Sequence, residues 1–195
     1  MKKTSELKNL VEETKRREKI KKEKVDIKWI ITIVIIAFAI SFGLSFVANS
    51  TIPNLSLIFG IIITLVFILV GILFDIIGVS VTSADEKVFH SMASRKVKGA
   101  ITAVKLKKNA DKTSSFCCDV IGDICGVISG AAGTTICSIL VTKYHTDLLL
   151  TGLITAAIIS SLTIGGKALG KSFAINKSDI ILYEFAKIIS FVYKK

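Results

Sequence analysis

Residues 116–141 read FCCDVIGDICGVISGAAGTTICSILV, an apolar run of membrane length interrupted by two carboxylates, Asp119 and Asp123. A transmembrane helix needs roughly 20 apolar residues, and this stretch supplies them. A third acid, Asp75, lies inside the earlier apolar run Leu55–Val81. Carboxylates in such runs are costly, so they face a bundle interior, find a partner or line an ion path. Ion handling is therefore the first functional expectation. Gly122, Gly126 and Gly130 recur at four-residue steps in the same run, and small residues at that spacing let a second helix approach closely. At roughly 100° per residue the two acids fall within about 60° of this ridge. They are expected to face a partner helix.

Working outward, no charged residue occurs from Trp29 to Phe74. That length holds two spans, about 27–48 and 55–81, divided in Asn49–Asn54 at Pro53, the only proline. A fourth run, Leu148–Gly166, lacks charge but is rich in glycine and threonine, which suits a short or broken span. The first span follows a charged segment of 26 residues without an Ala-x-Ala site, unlike a removable signal peptide. The expected fold is an all-α polytopic membrane protein with four transmembrane helices.

The chain has 195 residues, 51% of them hydrophobic, and a net charge of +11. Lys and Arg concentrate in residues 1–26, 83–115 and from Lys167 onward, whereas the segments near Asn49–Asn54 and Lys143 are nearly free of them. This alternation follows the positive-inside bias. It predicts a multi-pass protein of the plasma membrane with both termini cytoplasmic. The basic segments flank spans and lack interleaved aromatics, so they suit anionic lipid headgroups and not nucleic acid.

Residues 1–26, with sparse apolar positions, are expected to be a basic cytoplasmic arm. Glu86–Lys108 carries Phe89, Met92, Ala93, Val97, Ala100, Ile101 and Val104 at three- and four-residue intervals, predicting one amphipathic juxtamembrane helix. Ser178–Tyr193 repeats the pattern, with Ser178 as N-cap. The membrane domain thus runs over 27–195.

The acids fall into sets. Asp75, Thr82 and Glu86 share a helical stripe, flanked by Ser83 and Asp85; Ser115, Asp119 and Asp123 occur at i, i+4 and i+8. Hard cations take carboxylate, hydroxyl and carbonyl oxygens, so two such faces suit Mg²⁺. The bland alternative is that each acid pairs with a lysine or caps a helix, Ser83–Glu86 merely starting the amphipathic helix. Cys117, Cys118, Cys125 and Cys137 have no zinc spacing and read as apolar packing residues. Gly165–Ser172 satisfies Gly-x4-Gly-Lys-Ser, but a phosphate loop needs a strand before it and a sheet around it, for which the chain has no room. His90 and His145 stand alone, and no catalytic pairing is visible, so an enzyme is not expected.

From about Ile72 to Tyr193 the chain resembles the transmembrane domain of the cyclin M / CorB–CorC magnesium transporters. Ser83-Ala84-Asp85-Glu86 resembles the Ser-x-x-Glu stretch closing that family's first helix. Arg95, Lys98-Gly99-Ala100, Leu106 and Asn109-Ala110-Asp111 resemble its juxtamembrane segment. Ser115 matches the serine opening the next helix, and Gly122-Asp123 stands near its Gly-Asn pair. Gly166–Ala174 resembles its Gly-Glu-x-x-Pro-Lys-Ser-x-Ala. The resemblance implies a homodimer that holds Mg²⁺ between helices and transports Mg²⁺ or Co²⁺, with Ile27–Ala48 as an additional helix.

Three departures bear on this. Lys167 stands at the position of a metal-ligand glutamate, Gly170 replaces a proline, and the nucleotide-binding CBS modules are missing, leaving room for a separate regulatory subunit. A lysine opposes cation binding nearby. Either Asp119 and Asp123 compensate, or Lys167 pairs with one of them and the site is lost. The expected oxygen donors are Ser115, Asp119 and Asp123 from the third span and Ser83 and Glu86 from the second, with Asp75 lining the approach. The competing expectation is a scaffold or regulatory module that keeps the fold without an ion site.

Overall fold

The computed structural model describes residues 27–51 and 56–192, and every described element is helical. The basic arm, the turn at Pro53 and Tyr193 lie outside the described residues. Four helices are long and apolar enough to cross a membrane. The first, α1 (Ile27–Thr51), buries none of its apolar window. Ile30, Val34, Phe38 and Phe42 are exposed along it. Two of its hydroxyls bond back within the helix: Thr32 Oγ1 donates to Lys28 O and Ser50 Oγ to Phe46 O, both at 2.8 Å. Such back-bonding removes the cost of a polar group in apolar surroundings.

Three long helices pack on one another. Helix α2 (Leu57–Ser83) runs to α3 (Glu86–Ser94) and α4 (Ala100–Lys108); α5 (Ala110–Ser115) then continues through a π-helical segment, Phe116–Gly122, into α6 (Asp123–Tyr144). Helix α7 (Leu148–Asn176) returns and α8 (Ser178–Val192) follows. The buried stripe of α2 is Gly60, Thr64, Ile68, Gly71, Asp75 and Gly78, at steps of three and four that keep one face inward. Ile58, Phe59, Ile62, Leu65, Val66, Leu69 and Leu73 point outward and are exposed.

Close approach sets the register. A Cβ at Gly71 would stand 3.3 Å from Gly122 O and 3.1 Å from Cys125 Cβ; one at Gly78 would overlap Cys118 Sγ and stand 3.1 Å from Ser114 O. On the other side, Gly166 and Gly170 of α7 receive Ile72 and Ile76 of α2. Of the expected ridge only Gly122 makes contact among the described residues, because Gly126 and Gly130 have nothing there within 4 Å of a Cβ. The α6–α7 hairpin closes with His145 at φ 54° and Asp147 Oδ1 accepting from Leu149 N at 2.8 Å. Helix α7 continues unbroken past Gly166 to Asn176. Gly165–Ser172 therefore lies inside a helix, which removes the phosphate-loop conformation.

The segment 86–108 is two helices where one is expected. The break is Arg95–Gly99, with Lys96 at φ 56° and Gly99 at φ 84°. The left-handed turn suits Gly99, and a Cβ there would stand 3.0 Å from Lys187 Cα on α8. The fold-back lets α3, α4 and α8 bury Phe89, Ala103, Leu182 and Ala186 against Val81 and Ala84. Lys107 Nζ donates to Val81 O at 3.1 Å and Thr82 O at 2.8 Å, satisfying carbonyls at the C-terminus of α2 where a cation is favoured. Asp85 caps α3, its Oδ1 accepting from Lys87 N at 3.0 Å, while its own N–H donates to Asp179 Oδ1 at 2.9 Å. This end, rich in lysine, is called the basic end below; the α6–α7 turn marks the opposite one.

Candidate cation site at the basic end of the bundle

The contacts of Gly71 with Gly122 and of Gly78 with Ser114 and Cys118 run α2 antiparallel to the π segment and α6. Those of Ile72 with Gly166 and Ile76 with Gly170 run it parallel to α7. Asp123 and Lys167 then lie level with Gly71 and Ile72. Asp75 lies about one turn further toward the basic end, level with Cys118 and Asp119. From Leu148 to Lys167 the helix rises about 29 Å at 1.5 Å per residue, and Asp123 lies at a similar distance from the α6–α7 turn. Toward the basic end, the charged residues of the three helices thus begin within about one turn of a common level.

Their environments differ. Lys167 Nζ donates to Asp123 Oδ1 at 3.1 Å, the lysine side chain 24% exposed and the carboxylate 67%. The lysine stem is held against the bundle, its Nζ 3.8 Å from where a Cβ of Gly122 would stand. Asp119, one turn before Asp123, is exposed. Asp75 is 7% exposed, and its Oδ2 is buried with no hydrogen-bond partner among the described residues. A buried carboxylate oxygen without a partner is costly. Across the seam, Cys118 Sγ donates to the main-chain carbonyl oxygen of Asp75 at 3.7 Å and lies 3.9 Å from Ser114 Oγ.

The other expected donors are elsewhere. Ser83 is the last residue of α2 and exposed; Glu86 begins α3 and pairs with His90 Nε2 at 3.2 Å. The expected stripe through Asp75, Thr82 and Glu86 is cut because α2 ends at Ser83. Ser115 is half-buried just before the π segment. Among the described residues no three His, Cys, Asp or Glu side chains converge to hold a metal ion. Two features escaped the sequence reading. One is the π segment opposite Asp75, a conformation often found at functional sites. The other is Cys118 beside that acid, for which the adjacent cysteines offered no spacing signal.

No family model matches the chain, and neither the curated proteins nor the solved structures include one significantly similar to it.

Proposed function

We propose that the chain is a polytopic membrane domain of the divalent-cation transporter type, passing Mg²⁺ or Co²⁺. The observation that carries this reading is the common level at which α2, α6 and α7 turn from uncharged to ionisable residues. The uncharged length is about 30 Å, the thickness of a hydrocarbon core. In a bilayer the acids would then stand at one membrane face, at the mouth of the bundle and not at its centre. Asp75, Asp119 and Asp123 carry three negative charges and Lys167 one positive, leaving a formal −2 that a divalent cation would neutralise. The basic end belongs on the cytoplasmic side by the positive-inside bias, with α3, α4 and α8 as its juxtamembrane cap. The resemblance to the cyclin M / CorB–CorC family adds a homodimer and a separate regulatory subunit to the proposal.

Purified protein in liposomes tests it. The wild type is expected to carry Mg²⁺ or Co²⁺ at a rate above empty liposomes, and Asp123→Asn to lower that rate. A correctly inserted wild type with no flux above the empty control would end the transport reading.

The Lys167–Asp123 bond favours a second reading, a scaffold or regulatory module without ion passage. It expects no effect of Mg²⁺ or Co²⁺ on thermal unfolding, in the wild type or in Asp119→Asn and Asp123→Asn.

A further inference from the structure

The seam between α2 and the π segment has an acid on one side and sulfur on the other. Asp75 is nine-tenths buried, and its Oδ2 has no hydrogen-bond partner among the described residues. Gly71 and Gly78, one turn to either side, press α2 against the opposing backbone. Opposite lies Cys118, whose Sγ is 3.7 Å from Asp75 O and 3.9 Å from Ser114 Oγ. The cysteine is not in a disulfide. The π segment gives this stretch a wider turn than an α-helix and weakens the regular ladder of carbonyl bonds. A thiol, a hydroxyl and the backbone carbonyl of Asp75 thus meet here, and the orphaned carboxylate belongs to that same Asp75.

We infer that Asp75 and Cys118 form a seat for a divalent transition-metal ion of the Co²⁺ class. Softness decides the ligand: carboxylates and carbonyls alone suit Mg²⁺, whereas a thiolate favours later first-row ions. On binding, the Cys118 thiol releases its proton to water as the metal–sulfur bond forms. Two protein donors make a transit seat and not a closed storage site. This inference rests on the transport reading and sharpens its substrate class toward Co²⁺ over Mg²⁺.

Cobalt reports its own ligands, because a cobalt–thiolate bond gives a charge-transfer absorption that oxygen ligands do not. Full-length protein in detergent is titrated with CoCl₂. The wild type is expected to show a saturable sulfur-to-cobalt band that an equal concentration of Mg²⁺ leaves in place. Cys118→Ser is expected to abolish it, Cys137→Ser to retain it, and Asp75→Asn to require at least about tenfold more Co²⁺. A second measurement needs no variant: Co²⁺, but not Mg²⁺, should slow alkylation of Cys118 read by mass spectrometry. No band in the wild type, a band that survives Cys118→Ser, an unmoved titration in Asp75→Asn, or alkylation indifferent to Co²⁺ would each overturn the inference. Mg²⁺ flux without a cobalt band leaves transport standing and removes the seat. A band without flux of either ion does the reverse.

Discussion

The two ends of the α2–α6–α7 bundle use the same small residues in opposite ways. Toward the basic end, Gly71, Gly78 and Gly122 close a seam in which a Cβ has no room. Beyond it α3, α4 and α8 bury Phe89, Leu182 and Ala186 as a cap. Toward the α6–α7 turn Gly133 still meets Ile159 of α7, but Gly126 and Gly130 have nothing within 4 Å of a Cβ among the described residues. There a groove of about 330 Å³ runs between the helices, lined by Gly130, Gly133, Thr134, Gly152 and Ser160. Small residues thus mark where backbones can approach, and the partner's side chains decide where they do. Asp75, Asp119, Asp123 and Lys167 lie at the closed end, and no Asp, Glu, Lys, Arg or His lines the groove.

The closed end should bear substitutions badly. Phe89 is fully buried in the cap. Truncating it removes a large side chain from a small core, so Phe89→Ala is expected to destabilise by about 3–5 kcal/mol. Thermal unfolding in detergent micelles would reveal this as the largest loss of the series. A variant unfolding like the wild type would show that the cap does not hold the basic end together. Gly78→Ala follows. Its methyl would overlap Cys118 Sγ and press on Ser114 O, a backbone atom that cannot swing aside. Overpacking of this kind costs about 1–3 kcal/mol.

These contrasts mark how far the sequence carried. The four apolar helices were legible because uncharged length is a strong signal and nothing in the chain competes with it. The break at Arg95–Gly99 was not read, since the apolar spacing of Met92, Ala93, Val97 and Ala100 continues across it. The stop signal was Gly99 after a basic cluster. Asp75 was legible as an acid in an apolar run, but not as the buried one of three. Placing Asp119 and Asp123 assumed α-helical steps of 100°, and the π segment shifts that phase. Lys167 stood between two outcomes, and the bond to Asp123 meets the pairing one.

Smaller effects separate the ends more finely. Lys107→Met removes both bonds to the α2 C-terminus while keeping an apolar stem. A loss of about 1 kcal/mol is expected from two charge-assisted bonds that are partly exposed. The same unfolding assay at high salt should shrink it, because the helix-dipole part is screened; a loss unchanged by salt would mean that stem packing and not charge joins α4 to α2. The Lys167–Asp123 pair is weaker still. With the carboxylate 67% exposed, a double-mutant cycle of Lys167→Met and Asp123→Asn should give a coupling below about 1 kcal/mol in detergent. A coupling well above that would make the pair a structural lock and strengthen the scaffold reading over the transport one.

The smallest expected effect is the sharpest control on the comparison. Gly130→Ala adds a methyl where nothing lies within 4 Å, so no contact opposes it. Alanine also restricts the unfolded chain more than glycine and favours the helix by roughly 0.5–1 kcal/mol. The variant should therefore match the wild type or exceed it slightly, while Gly78→Ala, the same chemical change in another helix, loses stability. The two can be read in one unfolding experiment at several protein-to-detergent ratios. If Gly130→Ala falls instead, and falls more as the protein is concentrated, the open face is covered by a second copy. Its glycines would then do between chains what Gly71 and Gly78 do within one.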